Sequence, residues 1–164
     1  MELGKIETGI DINTYPSVSF NHVVLGSHLK IGKECHLHGG AQFPLVIGSH
    51  TIIGMYVIID GTLAPIHIGE NVSIAQQTVI VSDWQLVDGS KTAKLFPVAA
   101  APISIGNDTW IGSSCVIAPG VTIGECCIIA TNSYVAEDVP SFSVYGGNPA
   151  RLIKKLDPAE LESK

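Results

Sequence analysis

The sequence predicts an all-β chain wound as a parallel β-helix, and three observations carry this. Branched aliphatic residues recur every six positions, a small residue follows most of them, and the composition suits many short strands joined by tight turns. Of the 164 residues, 46% are apolar and 17 are glycine, while aromatics make up only 6%. That is enough apolar chain for one domain with its own core.

The period is clearest in the second half. Ile105, Ile111, Ile117, Ile123, Ile129 and Val135 follow one another without a slip. Gly106, Gly112, Ala118, Gly124, Ala130 and Ala136 come directly after them. The pattern also runs through Leu25, Ile31 and Leu37, then Ile47, Ile53 and Ile59, then Ile68, Ile74 and Ile80. An α-helix would rotate every sixth residue by about 240°, so no apolar face would form. A short strand plus a turn fits instead. Three such units close one triangular coil, which puts Ile105 over Ile123 and Ile111 over Ile129 in ladders of like side chains. The small residue is expected to serve the corner, where a positive φ is often needed.

The breaks define the organisation of a single domain, 1–164. Coils are expected over 18–82 and 102–140, with extra residues between Leu37 and Ile47 and between Ile59 and Ile68. Residues 83–101 carry no hexad and are expected to leave the stack as a loop, where function is often found. The remaining 141–164 form a terminal cap. There Asn148-Pro149-Ala150 leads into Arg151–Leu156, for which a short helix closing the open end is expected.

A net charge of −6 argues against nucleic acid as a partner. Basic residues cluster once, at Arg151, Lys154 and Lys155. Cys35, Cys115, Cys126 and Cys127 show neither disulfide nor zinc spacing and read as reduced thiols. No signal peptide and no bilayer-length apolar run is present, so a cytoplasmic protein without membrane insertion is expected.

Three stretches carry a family resemblance: Ile105-Gly106-Asn107-Asp108-Thr109-Trp110-Ile111-Gly112-Ser113, Ile117-Ala118-Pro119-Gly120-Val121-Thr122-Ile123-Gly124, and Gly146-Gly147-Asn148-Pro149-Ala150-Arg151. With the loop between coils, they resemble the maltose/galactoside, xenobiotic and capsule-sugar O-acetyltransferases of the hexapeptide-repeat type. The resemblance is strong from Ile66 to about Leu156 and generic over Val18–Pro65. It implies a left-handed β-helix, although the usual rule for parallel crossovers would give the right-handed form. It also implies a homotrimer, acetyl-CoA as co-substrate without a metal, and a sugar or saccharide hydroxyl as acceptor. Trp110 and Ser113 match positions along the CoA channel, Thr131 one along the pantetheine arm, and Arg151 and Lys154 basic positions at a CoA phosphate.

Two departures stand out. Glu137 replaces a common lysine before Asp138-Val139-Pro140. Gln85 falls where the family histidine takes the acceptor's proton, in Ser82-Asp83-Trp84-Gln85. A glutamine amide orients a hydroxyl but accepts no proton at neutral pH. Three readings stay open: a His-to-Gln form with an intact fold, Asp83 as substitute base, or a silent trimeric CoA-binding or scaffold protein. The alternation of His36 and His38 raises one further reading, a γ-type carbonic anhydrase, whose motif context is missing.

Overall fold

The computed structural model describes residues 6–86, 88–96 and 99–161. Short parallel strands form three faces of a triangular prism of about six turns, wound left-handed. The first face stacks Ile6–Thr8, Val23–Leu25, Leu45–Ile47, Ile66–Ile68, Ile103–Ile105 and Thr122–Ile123. The second stacks Ile12–Asn13, Leu29–Ile31, Ile52–Ile53, Ser73–Ile74, Trp110–Ile111 and Ile128–Ile129. The third stacks Ser19–Asn21, His36–Gly39, Ile58–Gly61, Val79–Val81, Val116–Ile117 and Tyr134–Val135. The right-handed preference arises where a twisted strand feeds a helical crossover. Strands of two to four residues joined by bare corners escape that constraint.

The core is the expected set of ladders. Ile105 pairs in register with Ile123, Ile111 with Ile129, and Ile117 with Val135. Leu25, Ile31, Leu37, Ile47, Ile53, Ile59, Ile68, Ile74 and Ile80 are all buried beside them. Three of the cysteines, Cys35, Cys115 and Cys127, are buried free thiols. Their Sγ–H groups reach the carbonyls of Gly54, Ala130 and Pro140. The coils start earlier than expected, because Ile6–Thr8 and Ile12–Asn13 already pair with the next turn.

The role expected of the small residues needs correction. Positive φ falls two residues later in the hexad, at Asp108, Ser114, Gly120, Cys126 and Asn132. The glycines after the aliphatics serve close approach between coils instead. A Cβ on Gly106 would stand 2.5 Å from the Glu125 nitrogen, and one on Gly112 2.5 Å from the Thr131 nitrogen.

The terminal cap is also corrected: Arg151–Leu156 does not form a helix. Ser143–Gly147 adds in parallel to Ile128–Ile129, and Ala150–Lys155 returns antiparallel to it. A six-residue helix is marginal by itself, whereas the last coil presents an open row of backbone groups that need partners. Among the described residues of the cap, only Pro158–Leu161 is helical, as a 3-10 turn.

Candidate active site

The loop leaves the stack at the corner after Val79–Val81, and its two ends are tied at one residue. Ser82 is fully buried, its N–H donates to the Asp60 carbonyl (2.9 Å), and its carbonyl accepts from the Ala101 N–H (2.9 Å). Its hydroxyl oxygen accepts from the Ala64 N–H (3.2 Å). The loop therefore springs from a rigid base. It is not wholly irregular: Lys91–Leu95 form one helical turn, capped by the Ser90 hydroxyl accepting from the Ala93 N–H (3.0 Å). Ser90 before Lys91-Thr92-Ala93-Lys94-Leu95 was the available signal for it. The apolar side chains of Trp84, Leu86, Leu95 and Phe96, with Thr92 and Ala99, line a recess of about 440 Å³.

Asp83 and Gln85 stand at the foot of this loop. Asp83 is only 9% exposed, whereas Gln85 faces solvent. Burial pushes the Asp83 carboxyl above the usual carboxylate range, and the neighbouring Asp60 charge pushes it further; a hydrogen bond from the Gln85 side chain opposes both. Asp60 was not singled out by the sequence. It lies on the coil below, with Thr62 donating to its Oδ1 from both backbone N–H (3.0 Å) and hydroxyl (2.7 Å).

The residues matched to the CoA channel lie elsewhere on the prism. Trp110 projects from the second face, 41% exposed, between Ser73 and Ile128. Ser113 and Thr131 occupy the corner between the second and third faces on adjacent coils, where the Ser113 carbonyl accepts from the Asn132 N–H (2.8 Å). Arg151 and Lys154 are exposed on the terminal strand. Arg151 Nη1 lies 3.4 Å from Glu137 Oε1 and donates to the Ala150 carbonyl (2.9 Å). The third face thus separates Ser113 and Thr131 from Asp83 and Gln85, and one chain does not gather all of these residues into one site.

His36 and His38 both point outward, and the Ser19 hydroxyl lies 2.7 Å from His38 Nε2. His28 stacks on His50 with ring centroids 4.8 Å apart, and its Nδ1 lies 3.1 Å from Asp11 Oδ2. Among the described residues, no three His, Cys, Asp or Glu side chains come together to hold a metal ion. None of the helices there is long and apolar enough to cross a membrane.

Comparison with known proteins places this geometry. The bacterial transferase hexapeptide family (six repeats) matches residues 102–137. A probable macrolide acetyltransferase of Lysinibacillus sphaericus is 33% identical over 141 residues, 86% of this chain and 67% of that protein. The galactoside O-acetyltransferase of Escherichia coli (strain K12) is 34% identical over 142 residues, 87% of this chain and 60% of that protein. The chain thus spans about two thirds or less of these curated relatives. A hexapeptide-repeat acetyltransferase of Vibrio cholerae O1 biovar eltor, solved with acetyl-CoA, superimposes with a TM-score of 0.67 at 33% identity, covering 81% of this chain and 70% of that one. An N-acyltransferase of Bacillus cereus, solved with dTDP and coenzyme A, gives a TM-score of 0.83 at 22% identity over 96% and 87% of the two chains, a likeness of fold alone. With its ladders of aliphatics, its loop at the Asp83 corner and these relatives, the chain belongs to the hexapeptide-repeat acetyltransferase family.

Proposed function

We propose that the protein transfers an acetyl group from acetyl-CoA directly to a hydroxyl of a sugar or saccharide, with Asp83 as general base. The observation that carries this reading is the buried Asp83 carboxyl, raised in proton affinity and joined to Gln85 at the family's histidine position. A carboxylate with an ordinary pKa is a weak base at neutral pH, and one pushed upward is better matched to the task. Asp83 takes the hydroxyl proton while the acceptor oxygen attacks the thioester carbonyl. The tetrahedral intermediate collapses, the carbon–sulfur bond breaks, and the CoA sulfur leaves with the proton that Asp83 returns. Gln85 orients the acceptor and Asp83 through its amide. Galactoside O-acetyltransferase as a relative supports a saccharide acceptor.

The working form in this reading is a homotrimer with the groove between subunits. Trp110, Ser113, Thr131, Arg151 and Lys154 of one copy then supply the CoA side, and the Asp83 loop of its neighbour supplies the acceptor side. The separation of these groups on one prism supports it. So do the exposed apolar side chains of Ile52, Trp110 and Ile128, which share one column of the second face with Ser73.

Acetyl-CoA turnover over a panel of sugar acceptors tests the reading, with CoA release as the signal. Asp83→Asn is expected to lose roughly 10²–10⁴-fold in kcat, the range for a positioned base. An unimpaired Asp83→Asn enzyme removes Asp83 as the base. Tight acetyl-CoA binding without turnover of any acceptor points to a silent binder instead. Light scattering is expected to give three chains per particle, and a monomer at micromolar concentration removes the shared groove.

A further inference from the structure

We propose that Asp60 is a positioning residue for this acyl transfer, an anion fixed one coil below Asp83 that strengthens Asp83 as a base. The inference rests on the reading of Asp83 as the proton acceptor. It adds a residue one coil away that takes no proton itself.

The geometry is held by backbone. Asp60 is in register with Val81, and the Ser82 N–H donates to the Asp60 carbonyl at 2.9 Å. Neighbouring coils lie about 4.8 Å apart. Val81 and Asp83 flank Ser82, whose hydroxyl is itself bonded to the Ala64 N–H. The backbones that carry Asp60 and Asp83 are therefore tied together on adjacent coils.

The Asp60 side chain is also held in place. Two donors from Thr62, its backbone N–H and its hydroxyl, converge on Oδ1 and fix where the carboxylate stands. Burial first and the Asp60 charge second raise the Asp83 carboxyl, and the hydrogen bond from the Gln85 amide works against them.

The other neighbours add little charge. In the coil below Asp60, His38 is its register partner, and the His38 ring is engaged by the Ser19 hydroxyl. In the coil above, the corner Ala118-Pro119-Gly120 is uncharged. On the loop side, Gly120 packs toward Ala101, which carries no charge either. Among the described residues that face Asp83, Asp60 is the one that supplies a like charge.

The test uses the intact protein and two readouts. The side-chain amide of Gln85, bonded to Asp83, is followed by ¹⁵N NMR as pH is varied, so the midpoint reports Asp83 without any need for a substrate. Asp83→Asn should abolish that titration. Asp60→Asn keeps an oxygen for Thr62 and removes only the charge. It should move the Gln85 midpoint to lower pH, with a smaller move in the same direction for Thr62→Val. In kinetics, the acid limb of kcat/KM should shift to lower pH in Asp60→Asn. Its plateau kcat should fall by less than the roughly 10²-fold that marks loss of a base, at unchanged acceptor KM. Asp60→Glu should restore most of both.

An unmoved midpoint in Asp60→Asn overturns the inference, and so does a raised acceptor KM at unchanged kcat, which would make Asp60 an acceptor contact. Should Asp60→Asn misfold, Thr62→Val carries the same midpoint test. An active Asp83→Asn enzyme sinks the base reading itself. An essential Asp83 with an unmoved midpoint sinks only the role of Asp60.

Discussion

The Arg151 guanidinium lies 3.4 Å from the Glu137 carboxylate, so the basic group that matches a CoA-phosphate position is already paired with an acid. Both side chains are well exposed, and surface pairs of this kind contribute only about 0–1 kcal/mol. A phosphate should displace Glu137 readily. Arg151→Ala is expected to weaken CoA binding by roughly 1.5–3 kcal/mol, the range for a charge-assisted contact. Glu137→Gln should tighten it by up to about 1 kcal/mol, with the gain fading at high salt. Calorimetric titration of both variants with CoA and dephospho-CoA checks the assignment. Unchanged affinity in Arg151→Ala returns the residue to the solvent-facing strand.

Gln85 offers a gain-of-function test. Histidine at this position would stand beside the Asp83 carboxyl, which then orients the imidazole rather than acting as base. Gln85→His is expected to raise acetyl transfer at pH 7 by on the order of 10²-fold. The fold should be indifferent, since Gln85 is exposed. CoA release from both forms with one acceptor provides the comparison, and an equal or slower histidine form argues against this position as the catalytic one.

Asp83 also links function to stability. Its carboxyl is raised in the folded protein, so the folded state binds the proton more tightly than the unfolded chain. Stability then falls as pH rises from the ordinary carboxylate range through the raised value, and the penalty is complete above it. Asp83→Asn should therefore unfold at a higher temperature than the parent at neutral pH while losing activity. The difference should close below the ordinary carboxylate range. Thermal melts across pH settle this, and a destabilised Asp83→Asn at neutral pH contradicts the burial argument.

The corner chemistry predicts opposite outcomes for two changes in one hexad. Gly112→Ala puts a Cβ 2.5 Å from the Thr131 nitrogen, backbone that cannot yield without separating coils. A loss of about 1–3 kcal/mol or more is expected, as for other overpacking. Ser114→Gly sits at φ +57, where glycine is free of steric cost, and should stay within about 1 kcal/mol of neutral. Urea midpoints of the two variants provide the check, and equal losses would contradict the division of labour between these positions.

The sequence by itself determined the ladders. A period of six repeated from Ile105 to Val135 admits no helical face, so Ile105 over Ile123 and Ile117 over Val135 were legible by counting. The position of the loop was legible for the same reason, because the hexads stop at Ile80 and resume at Ile105. What the tertiary structure decided are relations that counting does not reach. Arg151–Leu156 is helical in local pattern but is drawn into a strand by the unpaired edge of the last coil. Gly106 and Gly112 are demanded by a neighbouring coil rather than by their own φ. Asp60 comes to lie one coil below the start of the loop, in register with Val81, twenty-one positions on rather than eighteen because of the residues inserted between Ile59 and Ile68. Local periodicity fixes which side chains face inward. Which outward side chains meet depends on how successive coils stack, and that depends on every insertion between them.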